Sequence, residues 1–380
     1  MTPATGIWTI DLGAVTANYR RLRERVGGKP VAAAVKADAY GLGMTQIAPV
    51  LAKAGCDFFY VAYPEEAMQL RAILGPAGMI AVLHGVAAQN YGAIAGRNII
   101  PVINHLDDLR AWHRAAQERA AAIPVIVQLD TGMNRLGLGA DEVARLLAHP
   151  EWLDGLQVKY WLSHLACADE PAHPMNARQL GVFSQYLIKL PPAPLSLANS
   201  SGIFLGPSYH FDQVRAGAAL YGINPTPEQP NPMQPVAQLA APIIQIRTLT
   251  PRSQVGYGAS WRSDRLGKAA ILPVGYADGF ARSLGNRGVA HIQGHVAPII
   301  GRISMDLLAV DVTDVPEQVY RLGAMAALIG ADQSVDAVAK LAGTIGYEIL
   351  TQLGRRYQRV YQGNNDVRDK SSGAAGTCVS

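Results

Sequence analysis

Short apolar runs alternate with segments of helical period along the first 220 residues. Eight of these runs are mainly apolar and do not alternate between apolar and polar residues, which is typical of strands that are buried on both faces. They cover residues 31–36, 58–62, 80–83, 99–103, 125–130, 160–164, 195–199 and 213–216. Helical segments lie between them, including residues 44–54, 64–74, 106–122 and 140–148. The alternation predicts an α/β fold with a parallel (β/α)8 barrel of the TIM type, and a mixed open sheet is the alternative.

Side chains with useful chemistry fall at or just after the carboxyl ends of these predicted strands. They are Lys36, Arg135, His164, Asn199, Ser200, Arg215 and Gly217. In a barrel, the carboxyl ends of the strands form the face that carries the active site, and the loops after strands seven and eight often hold a phosphate. Ser200 and Gly217 lie on those two loops. The placement therefore favours the barrel and predicts a site on that face.

The pattern changes after residues 225–235, a proline-dense segment that predicts an extended linker. Beyond it, β-like runs cover residues 242–249, 268–274, 289–292, 296–300, 307–312 and 325–329, with one helix near residues 335–342. We expect a barrel domain over residues 1–230, of which the first ten or so can pack with the second domain. A smaller, mainly β C-terminal domain would cover residues 231–363, and a disordered tail residues 364–380.

Composition narrows the class of protein. The 380 residues are 49% hydrophobic and 16% charged, enough to bury the cores of two domains. The net charge is only +4 and no basic run is interleaved with aromatics, so a small anion is a more natural partner than nucleic acid. Three widely spaced cysteines predict neither disulfides nor a metal site. Without a signal-peptide pattern or a membrane-length apolar run, the sequence predicts a soluble cytoplasmic protein.

The first apolar run leads into Val-Lys-Ala-Asp-Ala-Tyr-Gly-Leu-Gly at residues 35–43. A lysine at the mouth of a strand can lose part of its hydration, and its amine is then free to form a Schiff base with a carbonyl compound. A solvated lysine at a strand end is the alternative interpretation. The segment resembles the motif of alanine racemases in which the lysine, here Lys36, binds pyridoxal 5'-phosphate.

Further segments extend this resemblance from about Asp11 to Arg359. Val-Gly-Tyr-Gly-Ala at residues 255–259 is similar to the segment whose tyrosine, here Tyr257, serves as a second base from the neighbouring subunit. Taken alone, Tyr257 would be an ordinary turn tyrosine. The resemblance implies Lys36 and Tyr257 as catalytic residues and a homodimer with shared active sites. A phenol is a poor base at neutral pH unless cations or hydrogen bonds favour the phenolate.

The resemblance also implies the other site residues. The cofactor would contact Lys36, Tyr40, His164, Asn199, Ser200, Arg215 and Gly217. Arg215 would face the pyridine nitrogen and keep it unprotonated, which weakens the ring as an electron sink and favours racemisation over transamination. Arg135, Met305 and Tyr276 would bind the substrate or narrow its entrance. Asp169, Arg282 and Arg302 would line the access corridor.

Two positions depart from the family pattern. Many members carry a carbamylated lysine seven residues before the substrate-binding arginine, and this chain has Gln128 there. Either the oxygen of its side chain holds Arg135 alone, or a small anion supplies the missing charge. The position at which some members place another phosphate-binding tyrosine aligns near Arg355, which brings that contact into question.

The activity implied is a pyridoxal-phosphate-dependent, two-base interconversion of L- and D-alanine that supplies D-alanine for peptidoglycan. Three alternatives stay open. A racemase of broader specificity would have a wider pocket around Tyr276. An amino-acid decarboxylase with the same two domains would carry an acidic residue in place of Arg215. A non-catalytic carrier of the cofactor would consist of the barrel alone.

Overall fold

The structure, a computed structural model, describes residues 5–363. Strand β1 (Ile7–Asp11) precedes eight parallel strands that form a closed barrel. The barrel strands are β2 (Val31–Ala34), β3 (Phe58–Val61), β4 (Met79–Val82), β5 (Ile99–Ile103), β6 (Ile123–Gln128), β7 (Leu156–Leu162), β8 (Leu195–Ser196) and β9 (Val214–Ala216). Strand β9 pairs with β2, and a bridge from Ser196 to Gln213 closes the ring. The predicted barrel is confirmed, and the open-sheet alternative is wrong.

Most barrel strands end earlier than the sequence predicts. The run at residues 195–199 contains only the two-residue strand β8. Leu197 and Ala198 stay fully buried after that strand has ended, so hydrophobicity alone does not mark the end. The residues that follow form the loop that carries Asn199 and Ser200 at the barrel mouth.

The barrel interior is a packed core. It is filled by Ala32, Phe58, Tyr60, Ala81, Ile100, Val102, Ile126 and Leu162. The rings of Phe58 and Tyr60 stack with their centroids 5.2 Å apart. Alternate residues of the same strands, such as Phe59 and Val61, join the larger core that includes the surrounding helices. Full burial of such a side chain stabilises the fold by about 1.5–3 kcal/mol relative to exposure.

Helices connect the barrel strands. They are α1 (Leu12–Arg25), α2 (Lys36–Tyr40), α3 (Met44–Lys53), α4 (Pro64–Leu74), α5 (Tyr91–Ile94), α6 (Leu106–Arg119), α7 (Ala140–Ala148) and α8 (Pro174–Leu187). The helix predicted over residues 106–122 stops at Arg119 because Ala120 takes a left-handed conformation, with φ of 46°. Within residues 5–363, every helix is too short or too polar to cross a membrane.

The C-terminal domain is mainly β, as predicted. The chain continues through β10 (Ala237–Pro242), β11 (Gln245–Leu249), β12 (Gln254–Val255), β13 (Trp261–Arg262), β14 (Gly267–Leu272), β15 (Val289–Ile292), β16 (His295–Ile300), β17 (Leu308–Asp311), β18 (Met325–Ile329), α9 (Val335–Ala342), α10 (Gly346–Gln352) and β19 (Gln358–Gln362). Strands β12 and β13 form a separate hairpin. The main sheet has the order β11-β14-β17-β16-β15-β18-β10-β1-β19.

Strands β1, β10 and β19 of this sheet had no clear local signal in the sequence. Strand β10 is rich in alanine and ends in a proline, a composition with low strand propensity. It forms because it pairs antiparallel with both β1 and β18. Strand β19 pairs in parallel with β1, more than 340 residues earlier in the chain. These strands form because of pairing between segments that are distant in the sequence, and the local pattern of residues does not show that pairing.

Residues 225–235 contain neither helix nor strand. The run predicted as one strand over residues 242–249 is divided between the end of β10 and β11. These two strands are not neighbours: β11 is the first strand of the sheet order and β10 the seventh. The tail predicted to be disordered, residues 364–380, lies outside the described residues.

Candidate active site

A cavity of about 890 Å³ opens at the carboxyl end of the barrel. Its lining includes the predicted residues Lys36, Tyr40, Arg135, His164, Asn199, Ser200, Arg215 and Gly217. The C-terminal domain contributes one side through Thr344, Ile345, Tyr347, Glu348 and Thr351. The structure therefore brings the barrel residues named from the sequence into one place.

Lys36 stands at the start of a turn with an unusual backbone. The four residues after it, 37–40, all have positive φ values between 54° and 57°. They form one turn of left-handed helix, in which the amide of Ala39 donates to the carbonyl oxygen of Val35 at 2.9 Å. Each left-handed residue other than glycine costs roughly 1–2 kcal/mol. Contacts from outside must therefore hold the turn that presents the lysine.

Two glycines let the C-terminal domain approach this turn. Gly41 and Gly43 also have positive φ, and a Cβ on either would clash. On Gly41 it would meet the carbonyl oxygen of Leu350, and on Gly43 the hydroxyl of Tyr361. That hydroxyl donates to the carbonyl oxygen of Leu42 at 2.9 Å. The close packing explains why the motif carries glycine at both positions.

The environment of Lys36 favours its neutral amine. Burial is the main cause that lowers the pKa of Lys36, and the positive charge of Arg135 lowers it further. The carboxylate of Glu66 acts in the opposite direction. A lysine with a lowered pKa has more of the unprotonated form, which is the form that attacks a carbonyl carbon.

Arg215 is buried and anchors His164. Its Nη1 donates to Oγ of Ser196 at 2.6 Å. Its Nη2 donates to the carbonyl oxygens of Ser163 at 2.6 Å and Leu197 at 3.1 Å, and to Nδ1 of His164 at 3.3 Å. Arginine can only donate, so Nδ1 of the histidine accepts in this contact, and the other ring nitrogen, Nε2, lies 3.4 Å from Nδ2 of Asn199.

The charges around this pair keep the histidine neutral. Burial, followed by the positive charges of Arg215, Arg135 and Lys36, holds the pKa of His164 well below its usual range. Burial also lowers the pKa of Arg215 to about 10, and Tyr60 opposes that shift. At neutral pH, Arg215 is therefore a cation and His164 is not.

Ser200, Gly217 and Tyr40 form a small recess in the cavity wall. Oγ of Ser200 accepts from the amides of Gly217 at 2.9 Å and Ala219 at 3.2 Å. A Cβ on Gly217 would clash with the hydroxyl of Tyr40, so the recess depends on the missing side chain. Hydroxyls and backbone amides at loop starts suit a phosphate. Together with the amine of Lys36, this set of donors fits pyridoxal 5'-phosphate.

Gln128 is buried at the end of β6, beside the cavity. Its Nε2 donates to the carbonyl oxygen of Leu136 at 3.1 Å. Within residues 5–363, no hydrogen bond joins Gln128 to Arg135, so the amide oxygen does not hold the guanidinium in the way that the first alternative predicts. The second alternative, a small anion beside Arg135, stays a prediction.

The predicted residues of the C-terminal domain lie apart from this chain's cavity. Exposed fractions are 73% for Tyr257, 53% for Met305 and 43% for Tyr276, and Arg282 and Arg302 are also exposed. None of the five lines the cavity described above. They share loops that contact one another: the amide of Tyr276 donates to the carbonyl oxygen of Ser304 at 3.0 Å, next to Met305.

Asp169 lies on the barrel side and acts on a tyrosine of the cavity. Burial, Asp169 and Asp336, in that order, raise the pKa of Tyr347 to about 12. The ring of Tyr347 lies 6.0 Å from that of Tyr40, centroid to centroid. Arg355, the position at which the sequence aligned a possible further tyrosine, does not line the cavity, whereas Tyr347, eight residues earlier, does.

Other contributors were also missed. Tyr60 and Ser196 contact Arg215, and both are polar residues inside otherwise apolar strand runs, which is the signal that could have found them. Tyr347 stands in α10, a short helix without a strong cap, so its position depends on the C-terminal domain as a whole. Glu66 lies in the first turn of α4, five residues after the end of β3, and its carboxylate accepts from an amide of the lysine turn.

Two models of protein families match the chain. The one described as "Alanine racemase, N-terminal domain" matches residues 10–225, and "Alanine racemase, C-terminal domain" matches residues 236–361. Among curated proteins, an alanine racemase of Acidiphilium cryptum is 50% identical over 352 residues, 93% of this chain and 97% of that protein. A catabolic alanine racemase of Mesorhizobium japonicum is 45% identical over 360 residues, 95% of this chain and 94% of that protein.

Solved structures give the same picture. The alanine racemase of Bartonella henselae, described with covalently bound pyridoxal phosphate, has a TM-score of 0.91 and 42% identity, and the match covers 95% of this chain and 100% of that chain. The biosynthetic alanine racemase of Pseudomonas aeruginosa has a TM-score of 0.86 and 35% identity, with coverage of 94% and 99%.

Proposed function

Because this chain belongs to the alanine racemase family, we propose that Lys36 and Tyr257 exchange the α-proton of alanine on opposite faces of the substrate. The protein is an isomerase that interconverts L- and D-alanine with pyridoxal 5'-phosphate as its cofactor. Bound in this cavity, the cofactor would supply an electron sink for the electrons at Cα, which would make the α-proton acidic. Inversion then needs an acid–base group on each face.

One observation carries the proposal: the half-buried amine of Lys36 shares a single cavity with four side chains and one backbone amide that can hold the cofactor. Lys36 has a lowered pKa, so its neutral amine can bond the cofactor and later accept a proton. The hydroxyl of Ser200 and the amide of Gly217, with Tyr40, would bind the phosphate. Asn199 and His164 would complete the cofactor contacts.

Arg215 would decide which reaction follows. We assign its guanidinium to the pyridine nitrogen, which agrees with the family pattern and with its place in the cavity wall. Even with its pKa lowered to about 10, Arg215 keeps its proton at neutral pH, so it donates a hydrogen bond and does not protonate the ring. The weaker electron sink favours return of the proton to Cα.

Arg135 would hold the substrate. Its planar fork suits bidentate pairing with a carboxylate, and it lines the cavity that Lys36 faces. The carboxylate of the substrate would then be fixed by Arg135, and its amine would be fixed by the cofactor. Together these two contacts set the orientation of the Cα–H bond. Two anchored ends define which face Lys36 can reach, and the opposite face requires a second group.

Tyr257 would supply that second group from a partner subunit. In this chain Tyr257, Met305 and Tyr276 are exposed and stand apart from the cavity, which is the arrangement expected if they serve a neighbouring site. We therefore propose a homodimer with two shared active sites. Arg282, Arg302 and Asp169 would line the corridor through which alanine enters.

The proposed cellular role is the supply of D-alanine for peptidoglycan, in the cytoplasm. Cys56 and Cys167 are free thiols, which is compatible with a reducing compartment. Deletion of the coding sequence should create a requirement for D-alanine, unless a second racemase is present. Fractionation of cells would show whether the protein lies in the cytoplasm.

The experiment that tests the reaction follows the circular dichroism of L-alanine with the protein and pyridoxal phosphate. Decay to zero at constant total alanine is expected, and Tyr257→Phe should slow it by about 10²–10⁴-fold, the usual contribution of a general acid or base. Tyr63→Phe, at another exposed tyrosine, is the control and should leave the rate unchanged. A signal that falls only as alanine is consumed would contradict racemisation.

Mixing two inactive variants tests the shared site. Lys36→Ala and Tyr257→Phe chains that exchange subunits at random should regain about a quarter of the wild-type activity. Half of the dimers are then mixed, and each mixed dimer has one intact site. No regained activity, with exchange of subunits verified by mass, would show that the lysine and the tyrosine act within one chain.

A further inference from the structure

The two oxygens of the Glu66 carboxylate bind different parts of the barrel. Oε1 accepts from the amide of Ala37, the residue directly after the lysine, at 2.7 Å. Oε2 accepts from the amides of Ala62 at 2.7 Å and Tyr63 at 3.2 Å, where β3 ends and α4 begins. One side chain thus connects the lysine turn to the neighbouring strand.

The second set of bonds has an ordinary structural role, and the first does not. Glu66 is the third residue of α4, and its contact with the amide of Tyr63 is half of a capping box that satisfies the helix start. A capping box needs only one of the two oxygens. The oxygen that remains is directed to Ala37, which lies in another element.

The lysine turn needs such a contact. Its residues 37–40 are all left-handed, a conformation that the chain does not hold without surrounding support. The carboxylate of Asp38 fixes the far end of the turn by accepting from the amide of Met44 at 2.7 Å. The bond from Ala37 to Glu66 fixes the near end, one residue from the reactive amine.

We propose that Glu66 is a positioning residue for Lys36: its carboxylate fixes the backbone of the lysine turn and supplies the compensating negative charge for the amine. The inference rests on the proposed role of Lys36 as the lysine that bonds the cofactor. It assigns to Glu66 a part in the reaction that neither the fold nor the cap of α4 requires.

The charge balance around the amine supports the second half of the proposal. Glu66 and Arg135 act on the charge of Lys36. The titratable groups that line the cavity with Lys36 are Arg135, Arg215, His84, His164, Tyr40, Tyr60, Tyr347 and Glu348. His164 is neutral, and Glu348 accepts from Gln352 on its own helix at 2.7 Å. Burial and Arg135 lower the pKa of Lys36, and Glu66 limits the fall.

Three variants of the full chain separate these effects. Glu66→Gln removes the charge and places an amide donor against one of the two groups of backbone donors. Glu66→Asp keeps the charge but is too short to reach both sides. Glu65→Gln is the matched control, because it removes the same charge from an exposed residue in the same helical turn.

The measurement is the rate at which the cofactor-free protein forms an imine with pyridoxal phosphate, followed by visible absorbance as a function of pH. Only the neutral amine reacts, so the midpoint of the profile reports the pKa of Lys36. We expect Glu66→Gln to move the midpoint down by about 0.5–1 unit, since an opposite charge has been removed. Its plateau rate should also fall at least about fivefold. Glu65→Gln should keep both values.

Each outcome decides a separate claim. A merely structural glutamate would lower thermal stability without moving the midpoint, so an unshifted midpoint in folded Glu66→Gln overturns the proposal. If Glu66→Gln does not fold, Glu66→Asp decides: a wild-type midpoint with a lowered plateau supports the proposal, and a wild-type plateau overturns it. Reduction of the wild-type protein and its cofactor with borohydride tests the proposed function separately, because it fixes the cofactor to the lysine that bonds it. Absence of label on Lys36 would overturn the proposed function itself, whatever the variants do.

Discussion

Gly217→Ala is expected to weaken cofactor binding by closing the recess beside Ser200. The new methyl would clash with the hydroxyl of Tyr40, and would lie 3.1 Å from its Cζ and 3.4 Å from Cβ of Ala34. Carbon atoms normally stand 3.5–4.0 Å apart. Tyr40 cannot move aside freely, because its ring packs 4.8 Å from that of Tyr221.

The size of the effect follows from the crowding. Overpacking a tight site typically costs about 1–3 kcal/mol. If the cofactor requires the Tyr40 hydroxyl in its present place, that cost falls on the bound state and raises the dissociation constant of pyridoxal phosphate by roughly 5–150-fold. The φ of Gly217, −131°, lies outside the left-handed region that favours glycine.

Titration of the cofactor-free protein with pyridoxal phosphate, followed by absorbance, measures this constant. Gly181→Ala in α8 is the control, since a Cβ there meets nothing within 4 Å and should leave affinity unchanged. In a Tyr40→Phe background the closest clashing atom is absent, so Gly217→Ala should cost less by about 1 kcal/mol. Equal affinity of Gly217→Ala and the wild type, or an equal cost in both backgrounds, would refute the reasoning.

Two further predictions concern charge. If a small anion beside Arg135 replaces the missing negative group at Gln128, turnover should be faster in chloride than in gluconate at equal ionic strength, and Gln128→Glu should abolish the difference; equal rates in both salts would contradict it. The depressed pKa of His164 predicts a loss of stability in acid. Between its folded pKa and about pH 6.5, the unfolded state binds the extra proton, so the free energy of unfolding falls as pH falls. Denaturant unfolding between pH 7 and 5.5 should therefore show an acid loss that is smaller in His164→Asn by up to about 1.4 kcal/mol per pH unit. As a control, His295→Asn at an exposed position should show the same dependence of unfolding free energy on pH as the wild type. The same dependence in His164→Asn would contradict the prediction.

The barrel and its site face were predictable because each depends on local patterns. Buried parallel strands give continuous apolar runs, and the reactive residues follow the ends of those runs. Lys36, His164 and Arg215 could be placed in one site from that rule alone. Their electrostatic coupling could not, because it depends on the distances across the barrel mouth.

The parts that escaped prediction depend on contacts that are distant in the sequence. Tyr347 reaches the cavity only because α10 packs beside the lysine turn. The proposed role of Glu66 could not be predicted, because a glutamate at this position is expected to cap the helix. The sequence does not show that its second carboxylate oxygen, Oε1, accepts from the amide of Ala37. Tyr257 is found by resemblance, and the structure of one chain places it away from its own cavity.

The position of β1 has a consequence for how the chain is made. This first strand lies between β10 and β19, so the second domain contains both the earliest and the last strand described. During synthesis, β1 must wait for more than 220 further residues before its partner β10 exists, while the barrel strands can pair as they emerge. The two domains are therefore not separable modules. A fragment that begins after the linker would expose unpaired edges on β10 and β19, where other chains could add.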